Sequence, residues 1–157
     1  MREIFYPTYS SIWFGQGGEG KDNHQPLNRV FLDGEKPKRA LIVEDEMFVA
    51  LHLESVLEDL SIEVLEIVAT GREAFSVAIA QKPDVIFMDI NLRGDIDGIE
   101  AARLIRDRSE MPIVFVTAYG DEATLKRVEA VAPHAPVLQK PALPQALITA
   151  IKKVIES

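Results

Sequence analysis

Residues with chemistry to offer stand at the ends of the apolar runs of this chain. The stretch VIFMDINLRGDIDG, residues 85–98, passes from four apolar residues straight into Asp89, then turns through Asn91, Gly94, Asp97 and Gly98. An earlier run, ALIVEDE, ends in Glu44, Asp45 and Glu46. A later one, IVFVTAY, ends in Thr117, and the last, VLQKP, ends in Lys140 and Pro141. If these runs are parallel strands, acids, a hydroxyl and an ammonium converge on one sheet edge. Two carboxylates about 4 Å apart repel by about 4 kcal/mol at an effective dielectric near 20, so such a cluster calls for a cation. Lys140 alone offsets only one of the negative charges. Oxygen-only ligands at an incomplete site favour a hard, partly hydrated ion, which makes magnesium the natural candidate. The carboxylates of Asp45 and Asp89 and the backbone carbonyl of Asn91 would bind it directly, with Glu44 reaching it through water.

A metal-held carboxylate beside a lysine and a threonine suits phosphoryl transfer. There the protein aligns an oxygen nucleophile with phosphorus and neutralises three equatorial oxygens. Asp89 would be the nucleophile, giving an acyl phosphate. Magnesium, the Thr117 hydroxyl with the Ala118 N–H, and Lys140 would each take one phosphoryl oxygen. Taken singly, each residue has a duller reading. A lone Asp89 is more often a helix cap, Asp45 and Glu46 could be first-turn helix acids, Thr117 a strand-end hydroxyl and Lys140 a solvated charge. Only their coincidence at four strand ends favours the chemical reading.

Elements of two kinds must position these groups. Strand-like apolar runs at 40–43, 63–69, 84–88, 112–117 and 136–139 alternate with amphipathic stretches at 46–60, 71–82, 97–108, 121–131 and 143–156. Thr70 with Glu73, and Asp97 with Glu100, have capping-box spacing, and Pro144 suits a first helical turn. Five βα units with right-handed crossovers make an α/β fold, a doubly wound five-stranded parallel sheet. Ligands bind such sheets at the carboxyl ends of the strands.

Composition narrows the class. The chain has 157 residues, and its net charge is −8. That charge lies in residues 40–157, with 11 Lys and Arg against 20 Asp and Glu, whereas residues 1–39 carry 6 against 5. Such a surface repels phosphate backbones and argues against direct DNA binding. There is no cysteine, hence no disulfide or thiolate metal site. No apolar run approaches the roughly 20 residues needed to span a bilayer, and no signal peptide is visible, so the expected location is cytoplasmic. Residues 1–39 read as an N-terminal extension, either a flexible leader or an arm whose Phe5, Tyr6, Tyr9, Trp13 and Phe14 pack on this domain or on a second copy in a homodimer. Gly15, Gly17 and Gly20 imitate a nucleotide loop. Asp22, however, stands where a phosphate loop needs a hydroxyl, and no helix pattern follows.

Residues 40–157 resemble, along their whole length, the receiver domain of bacterial two-component response regulators, here of the stand-alone kind. The motifs that carry the resemblance are IVEDE, FMDIN, DGIEAA, FVTAY and LQKP. It implies the flavodoxin-like (βα)5 fold with strand order 2-1-3-4-5 and a cis peptide between Lys140 and Pro141. It also implies that Asp89 takes a phosphoryl group from a phosphohistidine on a sensor histidine kinase or a histidine phosphotransfer protein. Such a phosphoprotein is no conventional enzyme, since it catalyses only its own phosphorylation and dephosphorylation. Three positions depart from the family pattern. Glu44 replaces a common Asp, and the loop after Asn91 is one residue longer than in the best-known chemotaxis receiver. Val137 stands where a switch Tyr or Phe is usual, which leaves Thr117 and Tyr119 as the candidate switch, with ordinary loop packing of Tyr119 as the alternative. After the fifth helix the chain stops, so output in signal transduction is expected through protein contacts. The alternative is a phosphate sink that drains a kinase by autodephosphorylation. The exposed part of helix 46–60, with Met47 and Phe48, is the expected kinase-docking side.

Overall fold

All five apolar runs form strands in the computed structural model, which describes residues 38–155. The glycine decoy and all of the expected N-terminal extension but Lys38 and Arg39 lie outside the described residues. The elements alternate without exception: β1 (Arg39–Val43), α1 (Met47–Asp59), β2 (Glu63–Val68), α2 (Gly71–Gln81), β3 (Val85–Asp89), α3 (Gly98–Arg106), β4 (Ile113–Thr117), α4 (Glu122–Val131), β5 (Val137–Gln139) and α5 (Pro144–Ile155). The strands form one sheet in the order β2-β1-β3-β4-β5, and every pairing is parallel. The expected fold class and strand order hold.

The sheet divides the core in two, because successive side chains on a strand point to opposite faces. Leu41, Val43, Ile86, Met88, Ile113 and Phe115 face α2, α3 and α4. Ala40, Ile42, Val85, Phe87, Val114 and Val116 face α1 and α5. The three central strands are therefore apolar on both sides, and β3 and β4 are buried at every position. The edges differ: β2 exposes Glu63 and Glu66, and β5 is three residues long. Short or charged edges discourage pairing with other chains.

Helix ends fall within two residues of the expected bounds. At α2 the expected capping box forms in full: the Thr70 side chain accepts from the Glu73 N–H, and the Glu73 carboxylate accepts from the Thr70 N–H. The second box forms by half. Asp97 accepts from the Glu100 N–H at 2.8 Å, but the Glu100 carboxylate is taken by Arg103. A guanidinium three residues along the helix offers a charged donor, which outcompetes a neutral backbone N–H. Helix α2 stops at Gln81 because Lys82 adopts a left-handed conformation, φ 50°.

Gly98 ties this scaffold to the strand end that carries Asp89. A Cβ at this position would lie 1.9 Å from the Asp89 carbonyl oxygen. The absence of a side chain lets the start of α3 press against the end of β3, where the Gly98 N–H donates to the Ile90 carbonyl at 2.9 Å.

Candidate functional site

At the carboxyl edge of the sheet, β1, β3, β4 and the turn after β5 deliver side chains to one hollow. Glu44 follows β1 and is anchored through its N–H to the Val68 carbonyl of β2 at 2.9 Å. Asp89 closes β3, with 4% of its surface exposed. Lys140 is held from β4, since its N–H donates to the Thr117 carbonyl at 2.9 Å. The cis peptide at Lys140–Pro141 is present.

Lys140 Nζ lies 2.6 Å from Glu44 Oε2 and 3.1 Å from Asp89 Oδ2, with 12% of its side chain exposed. One ammonium thus bridges two buried carboxylates. Burial pushes the Glu44 carboxyl above its ordinary value, and the opposing pull of Lys140 does not cancel this. Burial works the other way on Lys140, yet hydrogen bonding and charge attraction from Glu44 and Asp89 win and hold its ammonium above the ordinary value. The second Asp89 oxygen, Oδ1, accepts from the Asn91 N–H at 3.2 Å.

The third acid has a partner that sequence reasoning missed. Asp45 Oδ2 accepts from Arg93 Nε at 2.8 Å and from the Arg93 backbone N–H at 3.3 Å. Partial burial acts upward on the Asp45 carboxyl, but the two Arg93 donors outweigh it and hold the group below its ordinary value. Lys140 is expected to offset only one of the negative charges; part of the remainder is met by Arg93, a cation from the chain itself. The uncompensated charge itself was the signal: three acids facing one lysine, with an arginine four residues after Asp89 in a loop of unassigned purpose.

Glu44, Asp45 and Asp89 each offer an oxygen within 4.8 Å of the others. An all-oxygen, carboxylate-rich donor set of that size fits a small hard divalent cation. Thr117, buried at the end of β4, is tied to this edge through Asn91. Its hydroxyl donates to the Tyr119 carbonyl at 2.9 Å and accepts from the Tyr119 N–H at 3.3 Å and from Asn91 Nδ2 at 3.5 Å. Ala118 is exposed in the loop that follows, and Tyr119 is 80% exposed. Val137 is half-buried against the core on the α2–α4 side.

Beside the Glu44–Lys140 pair a second hollow of about 390 Å³ opens between α1 and the Lys140–Ala142 turn, with Phe48, His52, Leu53 and Pro141 in its walls. Its outer rim is apolar and exposed: Phe48 is 89% accessible, with Met47 and Leu51 beside it.

Comparison with known proteins agrees with this arrangement. The model of the response regulator receiver domain family matches residues 40–152. The chain is 35% identical over 92 residues to a protein-glutamate methylesterase/protein-glutamine glutaminase of Archaeoglobus fulgidus, covering 59% of this chain and 26% of that protein. It is 34% identical over 95 residues to the transcriptional regulatory protein PdtaR of Mycobacterium tuberculosis, covering 60% of this chain and 46% of the relative. The chain thus spans between a quarter and about half of these relatives' length. Among solved structures, the signal receiver domain of a modulated diguanylate cyclase from Desulfovibrio desulfuricans G20 superposes with a TM-score of 0.72 at 34% identity, over 77% of this chain and 95% of that one.

Proposed function

The chain belongs to the response regulator receiver domain family of two-component signalling, and from that premise we propose that Asp89 is its phosphoacceptor in a magnesium-dependent transfer from phosphohistidine. One observation carries the reading: Lys140 Nζ sits between Glu44 and Asp89, at 2.6 and 3.1 Å, with Asp45 close enough to complete an oxygen cluster. Glu44, Asp45, Asp89 and the Asn91 carbonyl are the groups that would hold magnesium. When bound, the ion supplies positive charge to a phosphoryl oxygen and relieves repulsion among the acids.

The chain's own groups do the rest. An Asp89 carboxylate oxygen attacks phosphorus; a P–O bond forms as the P–N bond to the donor histidine breaks, and the imidazole leaves with the electron pair and takes up a proton. Lys140 already neutralises Asp89, and its ammonium follows the charge onto a phosphoryl oxygen. Thr117 must turn from the Tyr119 carbonyl to donate to a second oxygen, joined by the Ala118 N–H. That turn gives the site a readout without an aromatic at Val137: the hydrogen bond that holds Tyr119 in place is given up, and the 118–120 loop is released to move. In dephosphorylation, a separate step, water attacks phosphorus, the P–O bond to Asp89 breaks and inorganic phosphate departs.

Donor docking fits the exposed apolar rim of α1, next to the hollow that opens on Lys140, and with a phosphohistidine protein as donor the compartment proposed is the cytoplasm. Output passes through a protein partner or a second copy rather than through DNA. A phosphorylated form with a half-life of seconds and no captured partner would instead make the protein a phosphate sink. The chemistry is tested by incubating wild type and Asp89→Asn with acetyl phosphate and magnesium and following intact mass. Wild type is expected to gain one phosphoryl group and the variant none; equal labelling of both would move the acceptor elsewhere.

A further inference from the structure

The acceptor pocket carries its own tethered cation. Lys140 occupies the inner side of the acid cluster, where it serves Glu44 and Asp89 and leaves Asp45 to the outside. From there Arg93 closes the cluster, with Nε and backbone N–H both directed at Asp45 Oδ2. The two partners differ sharply in exposure: 83% of the Arg93 side chain is accessible, against 11% for Asp45. A solvated arm therefore supplies both of its donors to the outermost acid of the cluster. The loop sets this up: Gly94 follows at φ +128°, with open space around it, so backbone conformation and not crowding is what requires glycine there.

We infer that Arg93 is an internal competitor of the divalent ion, resting on Asp45 when the metal is scarce and displaced when it binds, so that it sets the metal concentration at which the pocket becomes competent. This rests on the magnesium reading above. Two facts carry it. The two Arg93 donors occupy one of the two carboxylate oxygens that Asp45 can offer a metal. Whichever oxygen a divalent ion takes, a guanidinium on the same carboxylate stands a few Å away with like charge. The side chain can leave at small cost, because it is mostly in water already and exposed ion pairs are weak. The backbone N–H stays, so the loop keeps its place while the arm swings out.

Titration calorimetry of the full chain with magnesium chloride, in low-salt buffer at neutral pH, tests this. Arg93→Ala is expected to bind magnesium about two- to fivefold more tightly than wild type. Arg93→Lys, which keeps the charge but loses the planar fork, should fall between them. The gap should narrow as salt is raised, since the competing pair is exposed. In the wild type, the Arg93 Nε resonance should shift along the same titration curve. Equal or weaker binding by a folded Arg93→Ala, or an Nε resonance that ignores magnesium, would overturn the inference and leave the metal site standing. Absence of binding by both proteins would overturn the metal reading and this inference together.

Discussion

Lys140 meets two opposed demands in a single side chain. It must be desolvated enough to hold Glu44 and Asp89 tightly, yet under the proposed function it must remain an ammonium to serve an incoming phosphoryl group. The two carboxylates supply the second condition, since their combined charge more than reverses the effect of burial on the lysine. Lys140→Met would leave Glu44 and Asp89 without their shared counter-ion. Loss of one preorganised donor to a developing oxyanion costs about 100-fold in comparable sites. Labelling of Lys140→Met by acetyl phosphate, followed by intact mass against time, should slow by about that factor, and its urea midpoint should fall. Thr117 works differently. Its hydroxyl already spends its donor on Tyr119, so the part proposed for it would require it to change partners.

Helix starts and strand ends are where this fold spends its precision. Helix α3 is pressed against β3 through Gly98, and a methyl group there would strike the carbonyl of Asp89, the proposed acceptor. Overpacking of this kind costs about 1–3 kcal/mol. Gly98→Ala should show that loss in urea unfolding and should also slow labelling, because the displaced atom belongs to Asp89. A test remote from the acid cluster lies at α4, where Asp121 caps the helix by accepting from the Thr124 N–H at 2.7 Å. That bond holds the Asp121 carboxyl below its ordinary value of 3.8. A depressed folded pKa means that the charged cap stabilises fully above about pH 3.8 and loses its effect as pH falls through the folded value. Asp121→Asn keeps an acceptor but not the charge. Its melting temperature should therefore lie below that of wild type at neutral pH and converge with it in acid, as read by circular dichroism.

For the molecule as a whole, the layered arrangement separates chemistry from recognition. The acid cluster sits at the carboxyl edge of the sheet, while Phe48, the most exposed large apolar side chain among the described residues, stands on α1 beside the hollow that leads to Lys140. Phe48→Ala removes little buried surface, so stability should change by no more than about 0.5 kcal/mol. Interface aromatics are frequent hot spots worth about 2 kcal/mol or more. Phosphotransfer from a phosphohistidine protein to Phe48→Ala should therefore fall by at least about tenfold, while labelling by acetyl phosphate stays as in wild type. Equal loss with both donors would place Phe48 in the chemistry and not in docking. Arg127 on α4, paired with Asp97 at 2.7 Å, links that helix to the N-cap of α3.

Periodicity alone determined the architecture, because apolar runs of five or six residues between amphipathic stretches leave few alternatives to a parallel sheet covered on both faces. Coincidence of residue types at the strand ends brought Glu44, Asp45, Asp89, Thr117 and Lys140 to one edge before any distance was known. Tertiary structure alone decided how the charges pair. Lys140, following β5, pairs with Glu44 and Asp89, whereas Arg93, from the loop after β3, pairs with Asp45. The half-formed cap at Asp97 has the same origin: capping-box spacing was visible in the chain, but the guanidinium competing for Glu100 was not. Periodicity is a property of neighbours along the chain, and a strand or helix averages it over many residues. An ion pair depends on a few ångströms between groups from different elements, and only the folded chain sets that distance.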